Sequence, residues 1–309
     1  MFAAAAIPGW PRYYVARDSD NRPAILIEPV DNIPLRLRAD IDLRHVSYLA
    51  RANCEVKTRT GITTSLLCVL RCMSSHPDLC RLFLHVMDSW IVAVGKDPQQ
   101  DQVSSGVDRL VELFHGLGSP TVEEVKGMWG ELAIIAASND PKVLLTAWHL
   151  RPREVHDFAA GNHRIEVKTS SGIHVHSFSL HQLTPPANCV LVVASMLLAE
   201  QVDGASILDL TAMIKNRVEL PGLRLRLDEV VASTLGQDWL RASSVRFSRE
   251  RALESLRWYD GSRLPRIRAE HVPPEVSEVR FRVDLSSVAP EEGSVLAGHG
   301  GLIHAALPA

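Results

Sequence analysis

Apolar positions recur at steps of three and four through Leu79, Leu82, Phe83, Val86, Met87, Trp90 and Val94, and again through Val107, Leu110, Val111 and Phe114. That period marks one face of an α-helix, so the spacing predicts helices across residues 65–117. Upstream the pattern changes. Tyr13-Tyr14-Val15-Ala16, Ala24-Ile25-Leu26-Ile27 and Leu35-Arg36-Leu37-Arg38 are short β-rich runs parted by Asp, Asn and Pro, which predicts a small antiparallel sheet. Downstream, Thr121 with Glu124 three positions on makes a capping box for a helix running to about residue 138. An extended piece around Trp148, a hairpin pattern from Asp157 to Phe178 and a strand at Cys189-Val190-Leu191-Val192-Val193-Ala194 follow, the order of an α/β core.

Past residue 204 the helical period returns through Ile207, Leu208, Leu210 and Met213 and over residues 225–235, and Val279–Leu285 reads as a closing strand. The Gly/Ala-rich end predicts loose chain. The expected organisation is a β-rich region at 1–60, a helical region at 61–118, the α/β core at 119–204, a mainly helical region closing with a strand at 205–289, and a flexible tail at 290–309.

Composition narrows the class of function. At 309 residues, 46% apolar and 22% charged, the chain can bury a full core. Its net charge of -3 sets up no overall basic field, so any contact with nucleic acid must come from a local patch. Cys54, Cys68, Cys72, Cys80 and Cys189 form an odd set without a CxxC pair, which fits a reducing cytoplasm. The apolar stretch at 65–95 is broken by Arg71, His76, Asp78, Arg81, His85 and Asp88, so no membrane span is expected. There is no Walker A run, no GxGxxG and no nucleophile elbow, so ATP hydrolysis, dinucleotide binding and serine-hydrolase chemistry by those routes are excluded.

The chemistry gathers in the core. Asp157 stands nine residues before Glu166-Val167-Lys168, and Gly130-Glu131 lies upstream on the capped helix. Residues two apart on a strand point the same way, so Glu166 and Lys168 share a face and Val167 turns into the core. Two carboxylates with the Val167 carbonyl make a hard-oxygen set suited to Mg2+ or Mn2+. A lysine beside such a set suits phosphodiester hydrolysis, where negative charge builds on phosphorus oxygens. Gly130 would let the helix approach the sheet and bring Glu131 to the same place. The chain carries a second copy of the tripeptide, Glu55-Val56-Lys57, with Asp40 and Asp42 upstream but no acidic helix ahead of it, so the central copy is preferred.

Two further features call for weighing. His174, His176 and His181 cluster after the core tripeptide, but with no cysteine nearby and no helical HxxxH they read as a structural or solvent-facing strand rather than a zinc site. Residues 215–268 hold Lys215, Arg217, Arg224, Arg226, Arg241, Arg246, Arg249, Arg251, Arg257, Arg263, Arg266 and Arg268, with Phe247, Trp258 and Tyr259 between them. This is either a nucleic-acid-binding arm or a solvated helical face.

Gly127-Met128-Trp129-Gly130-Glu131-Leu132, Ala147-Trp148, His156-Asp157-Phe158, Glu166-Val167-Lys168-Thr169 and His181-Gln182-Leu183, with Leu264-Pro265-Arg266-Ile267 and the strand to Leu285, resemble the PD-(D/E)xK members of a bacterial domain-of-unknown-function family encoded among restriction and phage-defence genes. The resemblance covers most of the chain. It implies a restriction-endonuclease-like α/β core, a mixed central sheet flanked by helices, between the β-rich N-terminal region and the mainly helical C-terminal one. It makes Asp157 and Glu166 metal ligands, Lys168 the catalytic lysine, Glu131 the helix acid and Gln182 a supporting residue on a helix after the sheet. His156 stands where the superfamily motif has proline. The same resemblance implies a DNA substrate, Mg2+ with Mn2+ as the alternative, ATPase or methyltransferase components of a defence system as protein partners, and a homodimer if two sites pair to break both strands.

Overall fold

In the computed structural model, the described residues are 2–30, 40–42, 45–58, 61–115, 121–148, 155–236 and 244–308. The expected run Leu35-Arg36-Leu37-Arg38 lies outside them. The chain divides into two compact units, Met1–Pro120 with Arg224–Leu240, and Thr121–Leu223 with Arg241–Ala309.

The first unit is built on β1 (Phe2–Ile7), β2 (Trp10–Arg17), β3 (Pro23–Ile27), β4 (Ile41–Asp42), β5 (Val46–Thr58) and β6 (Gly61–Cys72) in the order β1-β2-β3-β6-β5-β4. A parallel pairing of β1 with β5, Phe2 opposite Val56, closes the ring. Closure removes the free edges that an open sheet would present. Ala16, Ala24, Leu26, Cys54, Val56, Leu67 and Val69 fill its interior. The expectation of helix from residue 65 is corrected over Ser65–Cys72, which completes β6 and pairs with β5 along most of its length. A continuous apolar run such as Leu66-Leu67-Cys68-Val69-Leu70 fits either period, and here the β-branched Ile62-Thr63-Thr64 ahead of it and the long partner strand decide for β. The helical period starts at Pro77 instead. In α1 (Pro77–Val94) Leu79, Leu82, Phe83, Val86, Met87 and Trp90 are all buried, and α2 (Gln100–His115) follows.

The second unit opens with α3 (Val122–Ala137) and α4 (Pro141–Ala147), then β7 (Phe158–Ala160), β8 (His163–Ser170), β9 (Val175–Ser179), β10 (Val190–Leu197) and β11 (Glu200–Ala205). After α5 (Ile207–Arg217) and α6 (Pro221–Leu235) come α7 (Arg249–Glu254), β12 (Arg257–Asp260) and β13 (Arg280–Asp284), so the stretch expected to be mainly helical is mixed. Its central sheet runs β12-β10-β8-β7, with β8 and β10 parallel and the outer pairs antiparallel. Among the described residues β9 pairs with β13 and forms no ladder with that sheet. The apolar cluster of Phe178, Leu183, Leu191, Val193, Tyr259, Leu264, Val283 and Leu285 joins the two layers.

The expected flexible tail is ordered. It forms α8 (Gly293–Ala297) and α9 (Gly301–Ala306), with Leu302, Ile303, Ala305 and Ala306 buried. Gly300 and Gly301 take positive φ, which turns the chain into α9, and the Asn139 and Asp140 amides donate to the Leu307 and Ala305 carbonyls at 2.8 and 3.2 Å. Small residues at the end of a chain therefore serve close packing here rather than freedom. From Arg224 onward α6 belongs to the first unit, where its buried Asp228 accepts from His85 at 2.9 Å and from Ser89, both on α1. No helix among the described residues is long and apolar enough to cross a membrane.

Candidate active site

The predicted cap fixes the start of α3. Thr121 Oγ1 accepts from the Glu124 amide at 3.2 Å and Glu124 Oε2 accepts from the Thr121 amide at 2.7 Å, so two orphan helix donors are satisfied. The helix then lies close on β8. A Cβ at Gly130 would stand 2.4 Å from Thr169 Cγ2 and 3.4 Å from Val167 Cγ1. Next to this contact, Glu131 Oε2 accepts from the Trp148 indole at 2.5 Å. Burial first, then the nearby charges of Asp157 and Glu166, push the Glu131 carboxyl well above the usual carboxylate range, against the pull of Trp148 and Lys168.

The hairpin turns at Gly161, which takes φ of 54°, and sets Phe158 opposite Ile165. Asp157, just ahead of β7, accepts from the Val167 amide through Oδ2 at 2.6 Å. Burial pushes its carboxyl up to about 6, with the Val167 amide and Lys168 opposing. Glu166 is 1% exposed. Its Oε1 accepts from Lys168 Nζ at 2.8 Å and from Gln182 Nε2 at 2.5 Å, while its Oε2 is buried with no hydrogen-bond partner. Burial and the Asp157 charge raise this carboxyl to about 8 despite Lys168. The alternation of β8 thus places Glu166 and Lys168 on one face and Val167 against α3, as the spacing implied.

Lys168 Nζ also donates to Gln182 Oε1 at 3.3 Å and lies 5.0 Å from the centre of the Phe178 ring. Gln182 sits on a single 3-10 turn, His181–Leu183, rather than on a full helix. The turn is held on all sides: the Ser179 amide donates to Gln182 Oε1 at 3.0 Å, His156 Nε2 donates to the Gln182 carbonyl at 3.0 Å, and Arg266 donates to the Leu183 carbonyl at 2.9 Å. Glu131, Asp157, Glu166, Lys168 and Gln182 are therefore brought into one interacting set. Among the described residues no three His, Cys, Asp or Glu side chains form a ready metal-holding group. Glu131 gives one oxygen to Trp148 and Asp157 one to the backbone, which leaves the acids linked electrostatically rather than gathered on a point.

Several neighbours escaped the sequence. Trp148 and Phe178 touch the site, and their only local signal is that large aromatics flank an acidic set. His174 and His176 are neither solvent-facing nor zinc-like. Both are buried and both meet Ser195 Oγ, which stands opposite Lys168 in the β8–β10 register. His181 is exposed.

The remaining candidates lie elsewhere or are engaged otherwise. Glu55 is exposed on β5 in the first unit, and Asp40 accepts from the Ala50 amide at 2.9 Å, a local role. Several members of the basic segment are engaged with the protein itself. Arg217 donates to the Ala136 and Ser138 carbonyls at 2.9 and 2.8 Å, Arg246 pairs with Asp209 and Arg263 with Glu291, while Phe247, Trp258 and Tyr259 are buried and cannot stack on bases; Arg241 lies outside the described residues.

One family model, described as "Putative PD-(D/E)XK family member, (DUF4420)", matches residues 9–286. No curated protein and no solved structure matches the chain.

Proposed function

The chain belongs to the DUF4420 family of PD-(D/E)XK members, and on that premise we propose that it is a metal-dependent DNA endonuclease with a restriction-endonuclease-like core, acting in bacterial restriction or anti-phage defence. The observation that carries this reading is the meeting of Asp157, Glu166 and Lys168 with Gln182 and Glu131 in one buried set. Three acids and one lysine share this buried set, and burial raises all three carboxyls, so their ionised forms lack compensation. The buried, unpartnered Glu166 Oε2 is an oxygen still lacking a donor or a cation.

By its chemistry of carboxylate and carbonyl oxygens, though not as a ready three-ligand group, this donor set suits a small hard cation. Asp157, Glu166 and the Val167 carbonyl would hold Mg2+ or Mn2+, with Glu131 as the acid from the helix side. Bound there, the cation supplies Lewis acidity and charge neutralisation at the scissile phosphate. The chain's own groups do the rest. Lys168 keeps its ammonium at a fixed place against the negative charge that builds as water attacks phosphorus and the P–O3′ bond breaks, leaving a 5′-phosphate and a 3′-hydroxyl. Gln182, bonded to both Glu166 and Lys168, fixes the two side chains relative to each other. The Val167 amide, donating to Asp157, ties that carboxyl to the strand that carries Glu166 and Lys168.

A second reading is a catalytically idle nuclease-fold subunit that binds DNA or assembles a defence complex with ATPase or methyltransferase partners. The lack of a ready three-ligand group among the described residues favours it. Against it stands the cost of keeping buried charges without using them. Supercoiled plasmid incubated with the protein in Mg2+, Mn2+ or EDTA separates the two. We expect nicking or linearisation in either metal, none in EDTA, and loss in both Asp157→Ala and Lys168→Ala; an inert wild type leaves two readings, the idle subunit and an enzyme that cuts only with its partner.

A further inference from the structure

Two buried histidines take no part in the chemistry above, and they meet on a single hydroxyl. His174 Nδ1 and His176 Nε2 each stand 2.6 Å from Ser195 Oγ, and the three side chains are 5%, 3% and 0% exposed. A serine hydroxyl carries one proton and two lone pairs, so it can donate to one ring at most and accept from the other or from both. His176 settles the direction. Its ring also hydrogen-bonds the Thr169 backbone in the sense that favours a protonated nitrogen, as a carbonyl acceptor does. Burial beside His174 and Lys168 keeps this ring neutral, with a pKa pushed down to about 4. With its one proton spent on Thr169, His176 Nε2 accepts from Ser195, and Ser195 in turn accepts from His174 Nδ1–H. The chain runs one way, from His174 through Ser195 and His176 to Thr169.

Its location gives it a task. β9 has no ladder to the central sheet among the described residues, yet it carries Phe178, whose ring lies beneath Lys168 Nζ, and it leads into the turn that bears Gln182. His174, His176 and Phe178 alternate onto the same inward face of that stretch. The hydrogen bonds through Ser195 thus add a buried polar fastening between this layer and the sheet, at the residue opposite Lys168 and ending on the residue after it. A held lysine gives up the freedom of a long flexible stem, so its support must be firm on every side.

We propose that His174, Ser195 and His176 are positioning residues for Lys168: their one-way hydrogen-bond chain fastens β9 to β8 and β10, so that Phe178 and Gln182 hold the ammonium against Glu166. The kinetic consequence rests on the nuclease reading; the hydrogen-bond chain itself does not.

The test has two arms on the full chain. Imidazole 15N NMR at pH 7.5 reads the tautomers, and we expect a neutral His176 with an unprotonated Nε2 and a neutral His174 protonated on Nδ1. Cleavage of a defined duplex in Mg2+ reads the role. Ser195→Ala and His176→Ala should lower kcat at least tenfold with KM little changed, while His176→Asn, whose amide can donate to Thr169 and accept from Ser195, keeps most of the activity and guards against a fold lost in the alanine variant. Wild-type kcat in His176→Ala, or an asparagine variant as impaired as alanine, overturns the positioning role. A cutting enzyme with other tautomers overturns the hydrogen-bond chain alone. A wild type that shows the expected tautomers and cuts nothing overturns the nuclease reading and the positioning role together.

Discussion

Glu166 concentrates the electrostatic problem of this molecule in one carboxyl. Its raised pKa means that the folded state prefers the protonated acid, so its contribution to stability is fully present below about 4.5 and is lost as pH rises through about 8. Asp157 has the same sign over a lower window, ending near 6. The buried histidines run oppositely, losing stability as pH falls below their ordinary value of 6.5. Between pH 6.5 and 8.5 the metal-free protein should therefore become less stable by on the order of a few kcal/mol. Melting curves should show Tm falling over that range, the fall shrinking in Glu166→Gln and on addition of Mg2+; an equal slope in the glutamine variant would contradict the assignment. The spacing of Asp157 from the tripeptide was legible in sequence because strand alternation is a local rule. The partners of these residues were not, since Trp148 reaches Glu131 and Phe178 reaches Lys168 through the fold and not through spacing.

The elements divide along the same line. The capping box of α3, the β7–β8 hairpin and the buried stripe of α1 were readable because each is set by neighbours within a few positions. β6 was misread because an apolar run carries no period of its own, and the pairing of β9 with β13 joins residues about a hundred positions apart. Gly130 is the point where an element depends on one missing atom. Gly130→Ala would drive a methyl into Thr169 and should destabilise the protein by about 1–3 kcal/mol. Denaturant unfolding should show that loss together with weakened cleavage, and Gly130→Ala with Thr169→Ser, which removes the Cγ2 methyl, should recover much of both. A double variant no better than the single would place the strain elsewhere.

For the molecule as a whole, two copies of the same tripeptide lie in different units, and among the described residues acids and a lysine are gathered around the central one. Glu55→Ala should leave plasmid cleavage and its metal dependence unchanged, because Glu55 faces solvent on the barrel wall; an inactive variant would mean that the wrong copy has been chosen. The barrel's existence was partly visible in its strands. Its closure through β1 and β5 was not, because a parallel pairing over fifty residues leaves no mark on local composition.

The crossing of α6 has a consequence in time. As the chain leaves the ribosome, the barrel and α1 are complete by residue 120, but the carboxylate that receives His85 and Ser89 arrives only at Asp228. At about 5–20 residues per second, the first unit waits on the order of ten seconds with the α1 surface around those two side chains uncovered, while residues 121–223 of the second unit emerge between. The first unit can therefore take its final packing only after the chain has passed residue 224.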